Sequence, residues 1–260
     1  MTKRQKFVLT SLVLAFGFFL VQFVDFDFRY PAIAGLTLSS LGLCYWALKE
    51  GLKRGATLLT LILPTFFTAG VGLFYFLLQT TGVVAILTRI PVLIIYALGI
   101  YALLLTSNIY TVATVRTIQL LRAAHAVGFL LTLVSAFLLF DTIFSLRLDF
   151  WINSIGMGLI SYPLFLQGFW AIELEGNISP EIKYISAGLA LVLGQIGAVL
   201  SFWPITVPVA SLALTTVVYV GLGLGQAKLQ QRLFSKTIKE YFFVVMAVFI
   251  TMFLTAKWGG

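Results

Sequence analysis

Marking every Asp, Glu, Lys and Arg along the chain leaves long apolar runs separated by short charged segments. A run of about 20 mainly apolar residues is the length that carries a helix across the hydrocarbon of a bilayer. The pattern predicts such helices near 7–24, 31–48, 56–78, 90–107, 124–145, 150–171, 183–202, 205–225 and 241–256. The uncharged run 184–227 is too long for one span. Residues 202–208, Phe-Trp-Pro-Ile-Thr-Val-Pro, divide it, with Pro204 at a turn and Pro208 in the first turn of the next helix. The run 55–88 is expected to hold one span and a short re-entrant or interfacial piece around 82–89. The ninth span has an uncharged stretch of only 16 residues, so the number of crossings is nine, or eight if the last does not cross.

Composition turns this pattern into a fold class. The 260 residues are 60% hydrophobic and 10% charged, with a mean hydropathy of +1.05. A soluble domain carries about 25% charged residues, so this chain lacks the polar side chains to cover a globule in water. The expected fold is an all-α integral membrane protein, a polytopic bundle of about nine transmembrane helices forming a single domain over 1–260, with no soluble domain. Disordered, collagen-like, disulfide-stapled and soluble-enzyme classes are excluded. Cys44 is the only cysteine and His125 the only histidine. One of each excludes, within this chain, an intramolecular disulfide, a CxxC pair, HExxH chemistry and multi-histidine metal or haem ligation. No motif implies a cofactor, no firm metal site is visible, and GxxxxGK[ST] is absent.

Charge supplies an orientation. The formal net charge of +8 is attributed to loops retained in the cytoplasm, not to nucleic acid. With the amino terminus inside, thirteen Lys and Arg fall on the inner side: Lys3, Arg4, Lys6, Lys49, Lys53, Arg54, Arg116, Arg122, Lys183, Lys228, Arg232, Lys236 and Lys239. Four, Arg29, Arg89, Arg147 and Lys257, fall outside. The carboxyl terminus is then outside. The first apolar run is read as a retained span, since VDFDFRYP follows it in place of a small-residue cleavage site. Trp46 and Trp170 fall at the expected inner interface and Trp151, Trp203 and Trp258 at the outer one, the levels an amphipathic ring prefers.

The aspartates Asp25, Asp27, Asp141 and Asp149 all fall on the expected outer side and the five glutamates on the inner. With Arg29 and Arg147, the outer carboxylates are candidates to bind a cation or phosphate or to move a proton. Asp141 is the deepest, about one turn inside the end of its span, where a carboxylate must be paired or wetted. Asp25-Phe26-Asp27 is read as an extended segment with both carboxylates on one face. At the level of these two carboxylates it resembles the acidic motif in the first external loop of integral-membrane glycosyltransferases that use lipid-linked sugars. The resemblance covers three residues and implies a metal-binding or catalytic role for Asp25 and Asp27.

Gln167, Gln195 and Asn153 either line a polar cavity or serve as interhelical hydrogen-bonding glue. Ala190, Gly194 and Ala198 recur every four residues and predict a close helix contact, within the chain or with a second copy or another membrane protein. Gly221, Gly223 and Gly225 are read as a loosened helix end. Residues 226–240 are read as a cytoplasmic basic amphipathic helix whose Lys228, Arg232 and Lys236 lie on anionic lipid. Residues 107–125, with His125, are read as a longer inner connection.

Three functions compete. Transport or the handling of lipid or lipid-linked substrates is ranked first, given the absence of a soluble domain and the polar groups within spans. A membrane-embedded enzyme acting at the outer face through clustered aspartates is second, and a non-catalytic scaffold or complex subunit is third. The expected location is the cell membrane.

Overall fold

The computed structural model describes residues 1–50, 57–78, 82–113, 119–174 and 177–257. Lys53, Arg54, Arg116, Glu175 and Trp258 lie outside the described residues. Among the described residues the chain is all-helical, with nine long α-helices, one short 3₁₀ turn and no strand. The helices are α1 (Lys3–Val21), α2 (Arg29–Leu48), α3 (Thr57–Leu77), α4 (Gly82–Ala113), α5 (Leu121–Ser145), α6 (Phe150–Glu173), α7 (Pro180–Leu200), α8 (Val207–Leu229) and α9 (Ser235–Thr255). Each is long and apolar enough to cross a membrane.

Local chemistry sets several boundaries. Thr2 caps α1 in a reciprocal box with Gln5, which satisfies two of the amide groups that a helix start leaves without partners. Ser179 caps α7 ahead of Pro180, and Pro208 enters the first turn of α8. The break at 202–208 is therefore where the prolines put it. Two other boundaries differ from expectation. Residues 82–89 are the first turns of α4, not a separate piece, and Pro91 lies inside that helix. A proline removes one helical hydrogen bond, and neighbouring helices absorb that loss within an apolar setting. Residues 107–113 also belong to α4, so the expected long connection at 107–125 is shorter.

The chain falls into two compact units, residues 1–135 with 174–177 and residues 136–173 with 178–260. In the first unit, α2 packs on α1 and α3, and α4 packs on α1 and α3. Its centre is aromatic. Phe18 meets Tyr96 with centroids 5.0 Å apart, Tyr96 stacks on Phe67 at 6.1 Å, and Phe18 meets Tyr75 edge-on at 5.6 Å. The Tyr96 hydroxyl is satisfied by Thr68 at 3.1 Å, as a buried phenol requires. Lys6 at the start of α1 pairs with Glu50 just beyond α2 and sits 5.7 Å over the Trp46 ring. One end of this unit thus gathers the start of α1 and the end of α2.

In the second unit, α6 packs along α7, and α8 packs on α6, α7 and α9. Gly194 faces α6 so closely that a Cβ there would lie 2.8 Å from the Ser154 carbonyl oxygen. Gly221, Gly223 and Gly225 lie within continuous α8, which corrects the reading of a loosened end. They face Phe165, Tyr241 and Phe169, whose rings occupy the space a side chain would need. Trp170 is 1% exposed and belongs to the core, so its ring does not face headgroups as expected. Only Met252 of α9 is buried.

Segment 226–240 is not one helix. Helix α8 stops at Leu229, Gln231 takes a left-handed φ of 55°, and α9 begins at Ser235. No glycine marks this stop, and the apolar and basic spacing alone suggested continuity.

Candidate functional site

The strongest candidate site lies wholly in the second unit, where the α5–α6 and α7–α8 connections meet. Helix α5 ends as Arg147 turns to a φ of 49°, with its N–H donating to the Phe144 carbonyl at 3.1 Å. Asp149 then opens α6, its backbone carbonyl accepting from Ile152 and Asn153. On the other side, α7 ends at Leu200, and Ser201 to Thr206 form the connection that the prolines enforce.

Together these segments line an open cavity of about 430 Å³, with Arg147 and Asp149 exposed at it and its volume within the roughly 300–1,000 Å³ of small-ligand sites. Arg147, Asp149, Asn153, Ser201 and Trp203 give it polar groups, and Phe144, Phe150, Leu200 and Phe202 give it apolar ones. Asn153 is 3% exposed. Its Nδ2 donates to the Leu148 carbonyl and to Ser201 Oγ, each at 3.2 Å, while its Oδ1 is buried with no partner. Phe150 packs on Phe202 at 5.0 Å, and Trp203 meets Phe249 of α9 edge-on at 6.2 Å. The Lys257 N–H donates to the Pro204 carbonyl at 2.9 Å, which fixes the end of α9 beside the same connection.

Asp141 lies one turn deeper in α5 than Phe144, is 5% exposed, and lies near Ser211 of α8. Ser211 directly follows Ala210, another lining residue of the cavity. The Ser211 hydroxyl donates to the Val207 carbonyl at 2.8 Å, and Asp141 Oδ1 has no hydrogen-bond partner. The second unit therefore holds Arg147 and Asp149 at the cavity and Asp141 one helical turn further in. Ser201 and Ser211 were not singled out from the sequence; a serine in an apolar run gives no signal until its neighbours are known.

The remaining candidates are placed differently. Asp25 and Asp27 are exposed in the first unit. Their segment is not extended: Phe26–Phe28 forms a 3₁₀ turn closed by the Phe28 N–H on the Asp25 carbonyl at 3.1 Å. Three residues per turn align Asp25 with Phe28, so the two carboxylates do not share a face. Arg29 lies 5.0 Å over the Phe76 ring and Arg89 lies 4.9 Å over the Phe23 ring. Gln167 is 4% exposed in the core of the second unit, with Oε1 unpartnered. Gln195 is exposed and lines a second, mainly apolar cavity of about 470 Å³ between α6 and α7, with Ser154, Gly158, Tyr162, Ala190 and Gly194. Lys228 pairs with Glu181 at 3.2 Å, Arg232 lies between α8 and α9, and Lys236 is in the first turn of α9. Among the described residues no group of three or more His, Cys, Asp and Glu is placed to hold a metal ion.

Residues 32–255, spanning α2 to α9, match a family described as "Protein of unknown function (DUF5656)". The chain belongs to the DUF5656 family. No curated protein and no solved structure matches it. For this DUF5656 protein the cavity chemistry therefore carries the functional argument.

Proposed function

We propose that this DUF5656 protein is a multi-pass integral protein of the cell membrane, with its amino terminus in the cytoplasm, that transports or otherwise handles lipids or lipid-linked molecules. The nine apolar helices among the described residues support the membrane reading, since their outward Phe16, Leu98, Leu159, Leu191 and Leu254 demand an apolar environment. The excess of inner Lys and Arg supports the orientation. Lys228, Arg232 and Lys236 then meet the anionic cytoplasmic leaflet, where each basic residue contributes about 1 kcal/mol of attraction.

The observation that carries the function is the cavity in the second unit. Charged Arg147 and Asp149 and buried Asn153 meet apolar walls where helices end, which suits a molecule with a polar head and a hydrocarbon body. The test is reconstitution into liposomes containing fluorescent phospholipid, with the pool in the outer leaflet bleached chemically. The protein should speed the loss of the inner-leaflet signal, and Arg147→Gln and Asp149→Asn should slow it. Exchange no faster than in protein-free liposomes would overturn the transport reading.

A second reading is an enzyme acting on a lipid-linked substrate at the outer face. Asp141 favours it, because a buried carboxylate with an unpartnered oxygen lies one turn below a polar cavity. Chemical conversion of a supplied lipid, lost in Asp141→Asn, would establish it over transport.

A further inference from the structure

We propose that the cavity between the α5–α6 and α7–α8 connections selects a zwitterionic headgroup, a phosphate joined to a primary ammonium, as in phosphoethanolamine. The proposal rests on the lipid-handling reading and names the chemistry of its site.

Charge is the first argument. Arg147 and Asp149 line the same cavity two residues apart, yet neither forms an ion pair among the described residues, where the pairs are Lys6–Glu50 and Lys228–Glu181. Both residues are exposed at the cavity's edge, and a cation and a carboxylate two residues apart that do not pair with each other suit a ligand carrying both opposite charges. A guanidinium is matched to phosphate oxygens, and Asp149 is matched to an ammonium.

Asn153 decides what kind of cationic group. Its amide orientation is fixed by chemistry, because the atom facing the Leu148 carbonyl must be the donor. Both Nδ2 hydrogens are used, by Leu148 and Ser201. What remains is a buried Oδ1 that can only accept, and an unsatisfied buried acceptor costs about 1–3 kcal/mol. A ligand group that reaches this acceptor must therefore donate. A primary ammonium has three N–H donors and the right charge for Asp149. A quaternary ammonium has the charge but no donor, and a glycerol or sugar hydroxyl has the donor but leaves Asp149 unmatched. Apolar Phe150, Phe202 and Leu200 complete the wall and suit the glyceryl and acyl start of a phospholipid.

The test uses purified, delipidated full-length protein in detergent and short-chain phosphatidylethanolamine, phosphatidylcholine and phosphatidylglycerol, with binding read by native mass spectrometry and titration. The ethanolamine lipid should bind about tenfold more tightly than either other lipid, the factor that one charge-assisted hydrogen bond supplies. Arg147→Gln should weaken all three. Asp149→Asn should erase the ethanolamine lipid's advantage over phosphatidylglycerol and weaken the choline lipid as well, since both carry the cation that Asp149 matches, with circular dichroism reporting that the helices are intact. Free phosphoethanolamine that competes identifies the headgroup alone as sufficient; if it fails to compete while the preference persists, the intact lipid is the ligand. Equal binding of the three lipids, tighter binding of phosphatidylglycerol, or an ethanolamine advantage over phosphatidylglycerol that survives Asp149→Asn would overturn the headgroup assignment and leave lipid handling standing. No binding of any lipid would overturn both.

Discussion

Arg147 holds a left-handed backbone, φ 49°, at the end of α5. That conformation costs an L-residue roughly 1–2 kcal/mol relative to glycine, and most helices that end this way use glycine. A strained arginine on a cavity wall points to a charge retained for binding at the expense of stability. Arg147→Gly should therefore melt no lower than the parent in detergent, and up to about 1 kcal/mol more stable, while losing lipid binding. A variant that is clearly less stable would show that the guanidinium supports the fold. In the sequence Arg147 and Asp149 stood out by charge alone, whereas the free acceptor of Asn153 was invisible. It depends on where Leu148 and Ser201 lie, and Ser201 is 48 positions away. Glu50 offers a pH test. The Lys6 ammonium beside it, by hydrogen bond and by charge, holds its carboxyl below the usual carboxylate range. A depressed folded-state value adds stability that is present above the unfolded value, about 4.3 for Glu, and is lost as pH falls through the folded one. Because Glu50 is exposed the effect is modest. The parent should lose more thermal stability than Glu50→Gln between neutral pH and pH about 3; parallel losses in both proteins would remove the pair from the account.

Among the helices, the contact between α6 and α7 depends most visibly on side-chain size. A Cβ on Gly194 would press on the Ser154 backbone oxygen, and one on Gly158 would sit 3.4 Å from the Ala190 oxygen. Backbone cannot swing aside as a flexible side chain can, so Gly194→Ala should cost about 1–3 kcal/mol through overpacking. Gly188→Ala, on the same helix with open space at its Cβ, should be neutral or slightly stabilising. Thermal unfolding in detergent separates the two, and equal melting temperatures would mean that α6 and α7 adjust freely. The four-residue spacing of Ala190, Gly194 and Ala198 exposed a contact face in the sequence, but periodicity does not name the partner. The structure brings Ala190 and Gly194 against α6 of the same chain. Helix cores were legible because apolar length is a strong signal; ends were less so. Pro204 and Pro208 marked one end correctly, whereas the stop after Leu229 rests on a left-handed glutamine that no residue preference announces.

At the scale of the molecule, each unit keeps its two ends chemically distinct. In the first, Lys6 and Glu50 join the start of α1 to the end of α2, and Asp25 lies beyond the far end of α1. The 20 residues of α2, at about 1.5 Å each, separate those ends by roughly 30 Å, the thickness of bilayer hydrocarbon. In the second, Lys228 meets Glu181 at one end, and Asn153 meets Ser201 at the other. These are the divisions that counting Lys and Arg suggested, because ionic side chains are confined to helix ends by the same penalty that keeps spans apolar. If all nine helices cross, as proposed, the termini lie on opposite faces. Cysteine labelling in intact cells tests this directly, since the one native cysteine, Cys44, is fully buried and gives little background. Single cysteines at Leu146 and Lys257 should react with a membrane-impermeant maleimide added outside, and cysteines at Thr2 and Leu233 only after the membrane is permeabilised. Labelling of positions 2 and 257 from the same side would require an even count, and would move the cavity's mouth at Arg147 relative to the carboxyl terminus. Labelling of Leu146→Cys only after permeabilisation, with the termini still opposed, would invert the protein. The Arg147 cavity would then open to the cytoplasmic leaflet, and the lipid it takes would have to be supplied from there.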